Sequence, residues 1–166
     1  MDNNELLRSI RDALELDDAT MIRIFREAGR EVGPSAIAAF LKTEEEDNYL
    51  PCANPIMAFF LDGLIVHNRG KKEGSAPSAA KPVVELSNNT ILKKLRIALD
   101  LKEEEMVGIF KMGGVAMTAH DITALFRKEG HKHYKECDDQ LLRSFMKGVA
   151  LSRKGLARRL AVARAI

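Results

Sequence analysis

The sequence predicts an all-α protein made of two tandem homologous modules of about four helices each, packed with pseudo-twofold symmetry. Three observations lead there. Shifted by 85 residues, the chain aligns with itself without a gap, residues 3–70 on 88–155, and 19 of those 68 positions are identical. Within each copy the apolar residues recur at three and four positions, the period of a helix face, and no stretch alternates with period two. The chain has no Trp, two Tyr and seven Phe, so its core must be mostly Leu, Ile, Met and Ala, a palette that favours helices.

Each element follows from local chemistry. Leu7, Ile10 and Leu14 form the apolar stripe of a first helix behind an Asn cap. Asp17 or Asp18 opens a second helix bearing Met21, Ile24 and Phe25, and Gly29 ends it. A third opens at Gly33-Pro34 in the first copy, with Pro at its first position, and at Thr118-Ala-His-Asp121 in the second, a sequence resembling a capping box. The fourth opens at Asn54-Pro55 or near Asp138-Asp139 and carries Phe60 and Leu64, or Phe145 and Val149. The copies also match at Leu7/Leu92, Arg11/Arg96, Phe25/Phe110, Tyr49/Tyr134 and Cys52/Cys137, so both tyrosines and both cysteines stand at equivalent positions.

The domain plan is a first helical repeat over 1–70, a linker over 71–87, a second repeat over 88–155 and a basic C-terminal tail over 156–166. The linker is rich in small residues, and Pro77 and Pro82 disfavour helix before them. Modules of about 68 residues are near the lower limit for an independent core. They are therefore expected to pack on one another.

The bulk numbers exclude several classes. A composition 46% hydrophobic and 30% charged is that of a folded globular chain. Two cysteines make no disulfide framework, and the N-terminus lacks the pattern of a secretion signal, so a cytoplasmic location is expected. The most apolar stretch, PIMAFFLDGLIV, carries Asp62 and is shorter than the roughly 20 apolar residues a membrane crossing needs. The net charge of +2 conceals an asymmetry. Residues 1–80 hold nine basic and fourteen acidic side chains, while residues 81–166 hold seventeen and ten. Such a division points to an anionic partner for the second half, or to attraction between the halves.

Several residues stand out as candidates. Arg11 and Arg96 lie at the edge of the apolar stripe, and Glu44 and Glu129 are the matching acids, so a repeated structural ion pair is preferred over phosphate binding. Gly63 and Gly148 fall inside the fourth helices, where Gly costs about 1 kcal/mol relative to Ala, which argues for two backbones approaching closely. Cys52 and Cys137 lack a second cysteine at zinc-site spacing and read as small buried hydrophobes. His131, His133 and Cys137, with His120 upstream, make a metal site conceivable in the second copy. The first copy has Glu46, Asn48 and Cys52 there, so no shared metal role is supported, and no cofactor is expected. There is no phosphate loop, GxSxG or HExxH, and the acidic TEEEDNY belongs to a loop, so an enzyme is the less favoured class.

Residues 101–128 have the outline of a helix-turn-helix, but the break at residues 113–117 exceeds the usual three or four residues. Lys147, Arg153, Lys154, Arg158, Arg159 and Arg164 run along and beyond the last helix. A basic stripe of this kind can contact phosphates. It can equally be a solvated helix end whose cations complement the negative terminus.

The repeated NN…L…R.AL.L, the FLDGLI…RG that ends the first copy, NNTILKKLRIAL and GHKHYKECDDQLLRSFMKG together resemble the YehS-like family of small bacterial proteins of unknown function. The resemblance spans residues 3 to about 155 and implies a duplicated helical protein. It brings no activity, cofactor or catalytic residue. In that family an Asn often stands where this chain has His133, and residues 156–166 exceed the family's core. The leading expectation is a non-catalytic binding or regulatory protein, with RNA or DNA as partner of the second repeat and tail. The alternatives are a protein-interaction scaffold or homodimer, and, less favoured, a metal-binding protein.

Overall fold

The structure, a computed structural model, describes residues 1–70 and 85–165, with side chains up to Gly155. Residues 71–84 of the expected linker lie outside the described residues. Eight helices follow in order: α1 (Asn3–Leu14), α2 (Asp18–Glu27), α3 (Pro34–Phe40), α4 (Asn54–Arg69), α5 (Asn88–Ala98), α6 (Glu103–Met112), α7 (Ala119–Leu125) and α8 (Asp139–Ala165). No strand occurs among the described residues. Four helices fall in each sequence repeat.

The chain forms two compact units. One comprises Met1–Arg8 and Leu16–Asp100, the other Ser9–Glu15 and Leu101–Ile166. In the first, α2 packs on α3 and α4, and α5 packs along α4. The Lys94 ammonium on α5 pairs with the Asp62 carboxylate on α4. At the helix ends, Asn68 Nδ2 donates to the Ala98 carbonyl at 2.9 Å, and the Arg69 guanidinium donates to the Ile97 carbonyl at 3.3 Å. In the second unit, α6 packs on α7 and α8.

The cores use matching rings. Phe25 and Phe60 meet with centroids 5.2 Å apart, and Phe110 and Phe145 at 5.5 Å, both tilted and fully buried. Each pair adjoins a helix crossing that has no room for a methyl group. A Cβ on Gly63 would lie 1.9 Å from the Ile24 carbonyl oxygen, and one on Gly148 would lie 1.9 Å from that of Ile109. Glycine is therefore required where α4 crosses α2 and where α8 crosses α6.

Helix ends follow the polar code. Asp17 accepts the Thr20 N–H at 2.7 Å to start α2. Thr118 and Asp121 exchange both bonds of a capping box at α7. Gly29 and Gly114, at φ +80 and +92, let Arg30 N–H and Val115 N–H return to the carbonyls of Phe25 and Phe110, both at 2.9 Å. The cap expected from Asn is corrected by the structure. Asp2 accepts the Glu5 N–H at 2.7 Å, and Ser87 the Thr90 N–H at 3.1 Å, so the Asn pairs sit inside the first turns of α1 and α5.

Asn4 is instead buried in the first unit and spends all of its polar capacity on the segment between α3 and α4. Its amide nitrogen donates to the carbonyls of Phe40 and Leu50, each at 2.9 Å. Its oxygen accepts from Cys52 N–H at 2.9 Å and Tyr49 O–H at 3.3 Å. One side chain thus closes a loop whose backbone would otherwise be buried unsatisfied.

Two predictions follow from these contacts. Gly63→Ala gains about 1 kcal/mol of helix propensity but forces backbone apart, and overpacking costs about 1–3 kcal/mol or more, so the variant and its counterpart Gly148→Ala lose stability in urea unfolding. Gly108→Ala, with nothing within 4 Å of the added Cβ, is the control and gains up to about 1 kcal/mol. Asn4→Ala orphans the buried Phe40 carbonyl and Cys52 N–H at about 1–3 kcal/mol each, so its unfolding midpoint falls below that of Gly63→Ala.

Candidate functional site

The cationic residues expected to bind an anion stand on α8. Toward the core this helix buries Leu142, Phe145, Met146 and Val149. Lys147, Arg153 and Lys154 lie on its exposed positions. Lys147 and Lys154 are seven residues apart, two helical turns or about 10 Å along one face, and Leu151, 43% exposed, lies between them. Arg143, exposed one turn before Lys147, extends the same face and was not among the cations named from sequence. No ion pair among the described residues engages Lys147, Arg153 or Lys154. The backbone of α8 stays helical through Ala165, whereas α4 stops at Arg69 with Gly70 at φ +80. The difference follows from residues 156–165, LARRLAVARA, which are strong helix formers. The side chains of Arg158, Arg159 and Arg164 lie outside the described residues.

The same positions of the first repeat are used differently. Lys147, Arg153 and Lys154 align with Asp62, Asn68 and Arg69. Asp62 is paired with Lys94, Asn68 is bonded to the end of α5, and Arg69 lies 3.8 Å from the Asp100 carboxylate. In the first repeat these side chains are committed to α5.

The loop before α8 brings histidines together. His120 and His133 have ring centroids 6.2 Å apart, His131 and His133 5.8 Å, and all three are exposed. His133 N–H donates to His131 Nδ1 at 3.0 Å. Cys137 is buried nearby in sequence. Among the described residues no group of three His, Cys, Asp or Glu side chains is arranged to hold a metal ion. Arg127, at the start of the loop, has its Nε buried without a hydrogen-bond partner among the described residues. The Asp121 carboxyl is held below the usual range by hydrogen bonds from Thr118, backbone N–H first, with Lys135 and His120 adding to the effect.

The remaining candidates lie elsewhere. Glu44 and Glu129 are exposed loop residues, whereas Arg11 and Arg96 are half-buried on α1 and α5. An open cleft of about 610 Å³ lies between the N-terminal ends of α6 and α7, edged by Lys102, Glu103, Glu104, Val107, Met117 and Thr118. It contains no nucleophile paired with a base, so its chemistry is that of a solvated acidic rim.

Neither cysteine is in a disulfide, and both are buried. Burial first, and then the neighbouring Asp2, pushes the Cys52 thiol up to about 12. Burial, then Asp138, Asp139 and Glu136, does the same to Cys137. Both thiols are therefore protonated and unreactive in the folded chain. A thiol reagent at about pH 8 is expected to label neither until denaturant is added. The sign of the linkage is also determined. Because the folded values lie above the unfolded value of 9.0, these thiols favour the fold below pH 9 and lose that contribution as pH rises toward about 12. The alkaline loss of stability should be shallower in a Cys52→Ala/Cys137→Ala chain.

The comparisons with known proteins agree with the duplicated architecture. The family described as "Protein of unknown function (DUF1456)" matches twice, over residues 3–70 and 88–155, which leaves residues 156–166 beyond the match. The "Uncharacterized protein YehS" of Escherichia coli (strain K12) is 38% identical over 148 residues, covering 89% of this chain and 94% of that protein. No solved structure matches. With both repeats matched and this relative spanning nearly its whole length, the chain belongs to the DUF1456, YehS-like family of internally duplicated proteins.

Proposed function

We propose that the protein is a non-catalytic binding or regulatory protein that contacts the phosphates of RNA or DNA through its second repeat and C-terminal extension. The observation that carries this reading is the outward placement of Lys147, Arg153 and Lys154 on α8, at positions where the first repeat turns its polar side chains to α5. Exposed cations about two turns apart along α8 suit a backbone that carries one charge per roughly 1.7 Å of duplex. Nothing in this arrangement reads base edges, so the expected binding is sequence-tolerant. Among the described residues no helix is long and apolar enough to cross a membrane.

The other reading, a protein scaffold or homodimer, draws on the exposed Leu50, Met112 and Leu151. Leu151 sits within the cationic face, where an apolar side chain also suits a protein partner.

The test is binding of labelled single- and double-stranded oligonucleotides across a salt series. Binding should weaken linearly with the logarithm of salt concentration, with a slope of about 0.9 per phosphate contacted on duplex. Neutralising Arg153, Lys154, Arg158 and Arg159 should reduce that slope by roughly 2–4 and weaken all sequences alike. Absence of binding at low salt, together with a dimer in sizing and cross-linking, would replace this reading with the scaffold.

A further inference from the structure

The segments joining α3 to α4 and α7 to α8 share three main-chain hydrogen bonds and carry opposite charge. In the first, Glu46 N–H returns to the Thr43 carbonyl at 3.0 Å, Tyr49 N–H to Glu46 at 3.3 Å, and Leu50 N–H to Ala39 at 3.2 Å. In the second, the equivalent bonds run from His131 to Lys128 at 3.0 Å, from Tyr134 to His131 at 2.9 Å, and from Lys135 to Ala124 at 3.0 Å. The three closing bonds match, while the turns differ in detail: φ is positive at Asn48 in the first loop and at Gly130 in the second. Residues 42–50 carry one Lys against three Glu and one Asp. Residues 127–135 carry Arg127, Lys128, Lys132 and Lys135 against Glu129, with His131 and His133 in addition. The first turn of α7 adds His120.

We propose that loop 127–135, together with His120, binds phosphate oxygens of a polyanion and takes up protons on its imidazoles as it does so. The proposal rests on the nucleic-acid reading above and adds a regulated site to it. Its physical basis is the spacing of the rings. His133 lies 6.2 Å from His120 and 5.8 Å from His131 between ring centroids, beside Lys128, Lys132 and Lys135, so imidazolium charges placed there without an anion would repel one another. A bound phosphate removes that penalty and adds charge-assisted hydrogen bonds. His131 contributes a second coupling. Its Nδ1 accepts the His133 N–H, so it must carry a lone pair there, and protonation at Nδ1 breaks this bond and releases the His133 N–H for the anion.

The loop's fixed cations Arg127, Lys128, Lys132 and Lys135 stand against three nearby carboxylates, Glu129, Glu136 and Asp121, with Glu103, Asp138 and Asp139 on the adjoining helix starts. Glu129 and Glu136 lie near Tyr134 within the loop and its exit. Asp121 on α7 is engaged by Thr118. Glu103 on α6 accepts from Thr123 at 3.2 Å. Asp138 is occupied at the start of α8, accepting the Leu141 N–H at 2.7 Å, and Asp139 opens that helix.

The sign of the pH dependence follows. An imidazole that binds its proton more tightly in the complex strengthens the complex at low pH, and this gain is lost as pH rises through the bound-state midpoint. Histidine makes this change between about pH 5 and 8.

The experiment uses the full chain at constant ionic strength and two probes, a labelled single-stranded oligonucleotide and inorganic tripolyphosphate. Between about pH 8 and pH 6, affinity for both should rise roughly tenfold. Calorimetry in buffers of different ionisation heat should register proton uptake, and tripolyphosphate should move the histidine C–H titrations to higher pH. A His120→Asn/His131→Asn/His133→Asn chain, altered only at exposed side chains, should lose the rise in affinity between about pH 8 and pH 6. Retention of the full rise in that variant overturns the proposal. Oligonucleotide binding without pH dependence also overturns it while leaving the nucleic-acid reading in place. Proton-linked tripolyphosphate binding without oligonucleotide binding supports the loop site and removes nucleic acid as its ligand. Failure of both probes removes both readings.

Discussion

Each unit depends on one contact between a helix backbone and a position without a side chain. The Ile24 carbonyl occupies the space of a missing methyl at Gly63, and the Ile109 carbonyl does so at Gly148. These contacts fix how near α2 can come to α4, and α6 to α8. The phenylalanine pairs then meet at 5.2 and 5.5 Å, within the range where tilted rings attract. Helix-interior glycine is costly on its own. It is retained in both repeats because burial of the surrounding Met, Ile and Phe side chains outweighs that cost.

Once the cores are set by backbone approach, the outer surfaces can diverge. The loops before α4 and α8 share three main-chain bonds that any residue except proline can donate, so these bonds survive a change of loop charge. In the first unit the polar positions of α4 are committed to α5 through Asp62, Asn68 and Arg69. In the second, Lys147, Arg153 and Lys154 are exposed. Duplication supplied two copies of one scaffold, and charge has separated them.

Much of this was legible from sequence where the cause is local. Asp17, Gly29, Pro34 and the Thr118–Asp121 box act within one helical turn, and each lies where a helix starts or stops. Asn4 shows where that legibility ends. An Asn at the head of an apolar stripe reads as a cap, but Asp2 takes the cap and Asn4 reaches carbonyls 36 and 46 residues away. Only the repetition of the Asn pair at positions 88 and 89 signalled that more than capping was involved. The packing of α5 along α4 was equally hidden, because the repeat alignment groups α5 with the helices that follow it. For the candidate site, the cations on α8 could be named from sequence. The approach of His120 to His133 needed the fold, since it depends on how the segment after α7 turns back over that helix.

Gly113 shows a further result of the duplication. A Cβ there would lie 1.9 Å from the Ser144 carbonyl oxygen, yet the first copy has Ala28 at the equivalent position, opposite Phe59 in place of Ser144. Exchange of these segments by recombination between the two halves of the gene would put a methyl group where the second half has no space for it. The halves have therefore ceased to be interchangeable parts, and a chimera that transplants residues 18–28 into the second half must bring a new α8 sequence with it.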